Sequence, residues 1–157
     1  MRLSVIVEGH GEADAARILV QRIANELLGR SIWTLPHTLR LPSGTIRNRP
    51  GDLARHLTLA AARGLRSDRP LAVVVASREY EGWFLAAAES LELPPCENPE
   101  GVRDAKGWLR RAQGSYSPTV DQAGMTARFD LGIARERADS FDKLCRELER
   151  LLPLPTA

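Results

Sequence analysis

The feature that most constrains this chain is its opening, a short apolar run rich in β-branched residues, Leu3 to Val7, broken at Glu8-Gly9-His10-Gly11. Such a run reads as a buried strand, and the two glycines permit the turn after it. From Glu12 to Leu28 the apolar positions Ala16, Leu19, Val20, Ile23 and Leu27 then recur at helical spacing, with Glu12 and Asp14 in the first turn and Gly29 as a stop. A second strand is expected between Ile32 and Leu41, held to an edge by Pro36. Pro50-Gly51-Asp52 starts a helix with an apolar stripe of Leu53, Leu57, Ala60 and Ala61. The run Leu71 to Ala76, with three valines, reads as a strand covered on both faces.

This alternation predicts an α/β fold, a mostly parallel sheet flanked by helices, with a helical C-terminal part. The expected division is an α/β core over 1–93 and a helical extension over 94–157 of one domain. A helix is expected from about Glu81 to Leu91. Another is opened by Asn98-Pro99 and runs through Trp108, and a last one follows Asp139-Ser140 with Phe141, Leu144, Cys145, Leu148, Leu151 and Leu152 on one face. With 157 residues, 43% of them hydrophobic, one core of ordinary size is expected.

Apolar residues nowhere run unbroken for the about 18 positions a membrane helix needs, and Met1-Arg2 leads straight into the first strand, so the expected location is the cytoplasm with no membrane partner. Cys96 and Cys145 match no metal or redox spacing and read as reduced thiols. A net charge of +2 is too small to argue by itself for a nucleic-acid partner.

Both acidic clusters fall where ligands gather in parallel sheets, at the carboxyl ends of strands. Glu8 and Glu12 flank a turn that can bring them together, and two such carboxylates suit Mg²⁺ or Mn²⁺. The alternative is that Glu8 ends a strand in solvent while Glu12 complements the helix dipole. Glu79 and Glu81 share a side if Ser77–Glu81 is extended, and diverge by roughly 200° if it is helical. They are then ordinary first-turn acids above Trp83, Phe84 and Leu85. His10 reads as a turn residue, and His37 and His56 have no partner at ligand spacing. Gly9 and Gly11 match neither the dinucleotide nor the P-loop pattern, and no serine or cysteine sits in a nucleophile elbow. Lys106, one of two lysines, could offset charge at a scissile phosphate, with Arg103, Arg110 and Arg111 on the same segment facing a nucleic acid or only solvent.

Val7–Glu12 resembles the opening glutamate motif of Toprim domains. Together with Arg78–Ala86, Asp104–Leu109, Tyr116–Gln122 and Ser140–Cys145, it resembles a bacterial Toprim-like family of unknown function, related to the Toprim domains of overcoming-lysogenization-defect nucleases. The resemblance covers nearly the whole chain. It implies Glu8 and Glu12 as ligands of one Mg²⁺ or Mn²⁺, Glu79 and Glu81 at a second, and catalysis by Glu8, Glu12, Glu81 and the basic Lys106. It also implies a metal-dependent nuclease-like Toprim protein acting on nucleic acid, DNA before RNA, in phage defence beside an ATPase partner. Toprim domains carry an Asp-x-Asp motif between these clusters, and none occurs here. Either a segment between Ala62 and Pro70 lies outside this sequence, or the chain is a catalytically silent Toprim-like binding or regulatory module.

Overall fold

Acids at the start of a helix and a cation at its end complement the backbone dipole, and the first helix, α1 (Glu12–Arg22), carries Glu12 and Asp14 in its first turn and Arg22 in its last. The computed structural model describes residues 2–7, 12–34, 39–40, 59–60, 63–64 and 70–152. α1 buries Ala15, Leu19 and Val20, then widens into a π-helical turn over Ile23–Leu27. Leu28 N–H donates to the Ile23 carbonyl at 3.1 Å, and Gly29, at φ +61°, ends the helix where the sequence predicts.

The expected parallel sheet is not what forms. Among the described residues β pairing is confined to two parallel pairs of two residues each, β1 (Arg2–Leu3) with β3 (Trp33–Thr34) and β2 (Ile6–Val7) with β4 (Leu39–Arg40). Helices make up most of the rest, so the mostly parallel, Toprim-like α/β architecture is corrected to a largely helical one. Leu71–Ala76 shows why: its residues are half-buried and join no ladder among the described residues. The Leu71 carbonyl accepts from Arg150 Nη2 at 2.8 Å, and the N–H just past the run, at Ser77, donates to Ser140 Oγ at 3.2 Å. An apolar β-branched run is able to pair, but the ladder needs a neighbouring strand. Among the described residues, helix side chains meet the two ends of the run. The helix expected around Leu53 and Leu57, with Pro36, His37 and His56, lies outside the described residues.

The C-terminal half is a chain of short capped helices. Glu81 leads into α2 (Gly82–Ala86), followed by a 3₁₀ turn over Ala88–Leu91 that Glu92 closes at φ +61°. The helix expected from Asn98 through Trp108 is divided: Asn98 caps a 3₁₀ turn at Pro99–Gly101, and Asp104 caps α3 (Ala105–Gln113) by accepting from Gly107 N–H at 2.8 Å. α4 (Pro118–Thr126) has proline in its first turn, and α5 (Leu131–Arg137) is capped by Asp130. The last helix, α6 (Asp139–Leu151), buries the predicted Phe141, Cys145, Leu148 and Leu151.

The core is an aromatic row in which Phe84 meets Phe129 and Phe129 meets Phe141 edge-on, at 5.5 and 5.7 Å between ring centres. Trp83 and Tyr80 extend it, Trp83 against Phe141 at 5.4 Å. Side chains from both sides of the expected division at residue 93 share this core. α1 joins it through Arg22, whose Nη1 donates to the Thr126 and Phe129 carbonyls, each at 2.8 Å.

Candidate functional site

Ser77–Glu81 is neither extended nor helical: Glu79 N–H donates to the Ser77 carbonyl at 2.8 Å, and Gly82 N–H to the Glu79 carbonyl at 3.1 Å. This turn brings both carboxylates onto one ammonium. Lys106 Nζ lies 2.8 Å from Glu79 Oε1 and 2.9 Å from Glu81 Oε2. Glu79 Oε2 also accepts the Ala105 N–H at 2.8 Å and the Lys106 N–H at 3.3 Å, so it serves the N-terminus of α3 as well. Glu81, only 1% exposed, receives the Tyr116 hydroxyl at 2.8 Å and Gln122 Nε2 at 3.3 Å on its other oxygen. The result is a clasp of Glu79, Glu81, Lys106, Tyr116 and Gln122, with Gln122 Oε1 left buried and without a hydrogen-bond partner.

The protonation states follow from the surroundings. Burial works to lower the Lys106 pKa, but the hydrogen bonds and charges of Glu79 and Glu81 outweigh it and the net shift is upward. Burial, then the Glu81 charge, drives the Tyr116 phenol well above its ordinary range, so it stays a donor. Tyr80 is also driven up, first by burial and further by the charges of Glu12 and Glu81, against its hydrogen bond to Thr126. Glu12 therefore acts on the same buried ring as Glu81 from the first turn of α1. Glu8 and His10 lie outside the described residues.

Of the predicted site residues, the structure brings Glu79, Glu81 and Lys106 together. As placed, Glu79 and Glu81 do not fit Mg²⁺ or Mn²⁺, because an ammonium already sits within 2.9 Å of each and a dication would crowd it. Among the described residues no group of three or more His, Cys, Asp or Glu side chains is arranged to hold a metal ion. Sequence reasoning assigned no role to Tyr116 and Gln122. Their signal was a tyrosine and a glutamine within one short motif, polar residues that need a partner when buried.

A cleft of about 720 Å³ lies next to this clasp, between Val75–Arg78 and the first turns of α6. A latch centred on Ser140 shapes one wall: its Oγ accepts from Trp83 Nε1 at 2.8 Å and from Ser77 N–H, and donates to Glu100. Glu100 in turn accepts the Asp139 and Ser140 N–H groups, each at 3.1 Å, an external cap on α6. Asp142 is held by Arg135 Nε at 3.0 Å and Arg146 Nε at 2.7 Å, and the first of these bonds chiefly keeps its carboxyl below the usual range. Ser77 Oγ and the Arg78 and Lys143 head groups have no such partner among the described residues.

No family model matches the chain, and no solved structure does. One curated protein is similar: the mycothiol acetyltransferase of Kytococcus sedentarius, 35% identical over 103 residues, covering 59% of this chain and 30% of that protein. The match thus spans under a third of that relative's length. A relative named for acetyl transfer points away from cleavage of nucleic-acid phosphodiesters. The described residues also form no extended sheet of the kind that both the nuclease-like Toprim protein and its silent Toprim-like alternative require. Both expectations are corrected on these grounds. No described helix is long and apolar enough to cross a membrane.

Proposed function

We propose that this chain is a helical small-molecule-binding module whose site is the cleft between Ser77–Arg78 and the start of α6. The observation that carries this reading is a contrast between neighbours. In the clasp Lys106, Tyr116 and the Gln122 amide donate onto the two carboxylates, whereas the cleft keeps Ser77, Arg78 and Lys143 uncommitted among the described residues. Its volume of about 720 Å³ falls in the range of ligand sites, about 300–1,000 Å³. The lining is mostly polar and charged, with Val75 and Ala76 as its apolar part. Glu79, Glu81 and Lys106 then act as structure, fixing the turn that presents Arg78.

The test is a screen of small neutral and charged fragments followed by amide chemical shifts of the isotopically labelled protein. Binders should perturb Ser77, Arg78, Ser140 and Lys143 saturably. A screen whose binders all map elsewhere contradicts the reading. The similarity to mycothiol acetyltransferase favours a second reading, in which the cleft holds one reactant of an acetyl transfer. Titration with acetyl coenzyme A tests it: no saturable change at the cleft removes that reading.

A further inference from the structure

The charges lining the cleft divide into spent and unspent ones. Glu100 is consumed by two α6 N–H groups and the Ser140 hydroxyl. Asp142 is consumed by Arg135 and Arg146, which also commits Arg146. What remains among the described residues is two cations, Arg78 and Lys143, against one exposed acid, Asp139. The lining as a whole carries three cations, Arg78, Lys143 and Arg146, against three carboxylates, Glu100, Asp139 and Asp142, and the donors left without a partner among the described residues are those of Arg78, Lys143 and the Ser77 hydroxyl.

Arg78 carries a second sign. Its backbone is in the left-handed region, φ +66°, which costs a side-chain-bearing residue about 1–2 kcal/mol. Glu92, the other non-glycine described residue at positive φ, closes a 3₁₀ turn, a place where that conformation is usual. Arg78 closes no helix. That conformation belongs to the turn that Glu79 N–H closes onto the Ser77 carbonyl at 2.8 Å, with Arg78 at its centre, and the turn places Arg78 in the wall of the cleft.

We propose that the cleft binds the phosphate of a small phosphorylated molecule through the Arg78 guanidinium, the Lys143 ammonium and the Ser77 hydroxyl; this rests on the reading of the cleft as a ligand site. A planar donor fork and a point charge suit a phosphate's several oxygens. A space of about 720 Å³ is far larger than one phosphate, and the Val75–Ala76 wall leaves room for an organic body.

Inorganic phosphate is the probe, titrated at constant pH and ionic strength into the labelled whole chain while amide shifts are followed. Saturable shifts at Ser77, Arg78 and Lys143 are expected, at least tenfold weaker in affinity in both Arg78→Gly and Lys143→Met. Arg78→Gly relaxes the strained backbone, so it should bind less while melting no lower than the parent, a split that a purely structural arginine does not produce. Shifts of equal strength in both variants, or spread evenly over the basic surface, overturn the proposal. Neutral fragments occupying the cleft while phosphate does not overturn it alone and leave the small-molecule reading standing. If neither binds, both fall.

Discussion

Residues 2–34 and residues 79–152 are held by different means. In the first region the strand pairs are two residues long, and Trp33 is 77% and Ile6 55% exposed. What anchors the region is α1, through Ala15, Leu19, Ile23 and the Arg22 bonds to the far carbonyls. In the second region each helix closes its own backbone bonds, several with a side-chain cap. Phe84, Phe129 and Phe141 fuse these helices into one core. The lesson is that local bonding suffices to place a helix, whereas a strand is placed only when another segment supplies its partner.

The comparison breaks first at the aromatic row. Phe129→Ala should cost about 3–5 kcal/mol and melt the whole body, read as a fall in the denaturant midpoint. Loss of less than about 1 kcal/mol would deny that the row unifies the helices.

Next comes the clasp, where Lys106→Met leaves Glu81 buried beside no cation and should cost about 3 kcal/mol. This effect has a pH signature. Because the folded pKa of Lys106 is raised, its contribution is complete below the ordinary lysine value of about 10.4 and fades as pH rises through the folded value. The gap between parent and variant should therefore hold from neutral pH to about 10 and narrow above it. A gap that closes near neutrality would contradict the assignment.

Smaller still is Tyr116→Phe, which removes one hydrogen bond to a charged acceptor and should cost about 1.5–3 kcal/mol by chemical denaturation. At the other end, Trp33→Ser touches an exposed strand residue and should move stability by no more than about 0.5 kcal/mol. A large effect there would sharpen the comparison in the opposite direction, giving the N-terminal pairs a structural weight that their length does not suggest.

Much of the helical structure was legible from residues alone. The apolar face of α6, the capping asparagine at 98 and the glycine stop at 29 are local signals, and they stand where the sequence places them. The division of one expected helix at Asp104 was not, because an aspartate reads equally well as a helix surface residue until its side chain is seen to cap Gly107. The sheet was misread for a different reason. Leu71–Ala76 has the composition of a central strand, but composition cannot say whether a neighbour arrives, and here Arg150 and Ser140 meet its ends. The candidate site was half legible. Glu79, Glu81 and Lys106 were singled out as reactive groups, while their pairing depended on a turn and on Tyr116 and Gln122, distant in sequence.

The central claim is that these acids and Lys106 form a structural clasp that positions the cleft. A double-mutant comparison of unfolding free energies measures it most directly. Lys106→Met alone should lose about 3 kcal/mol, and adding Glu81→Gln should recover at least about half of that by removing the stranded charge. If Lys106→Met is as stable as the parent, or if the second substitution only adds to the loss, the clasp does not hold the fold together and the account fails.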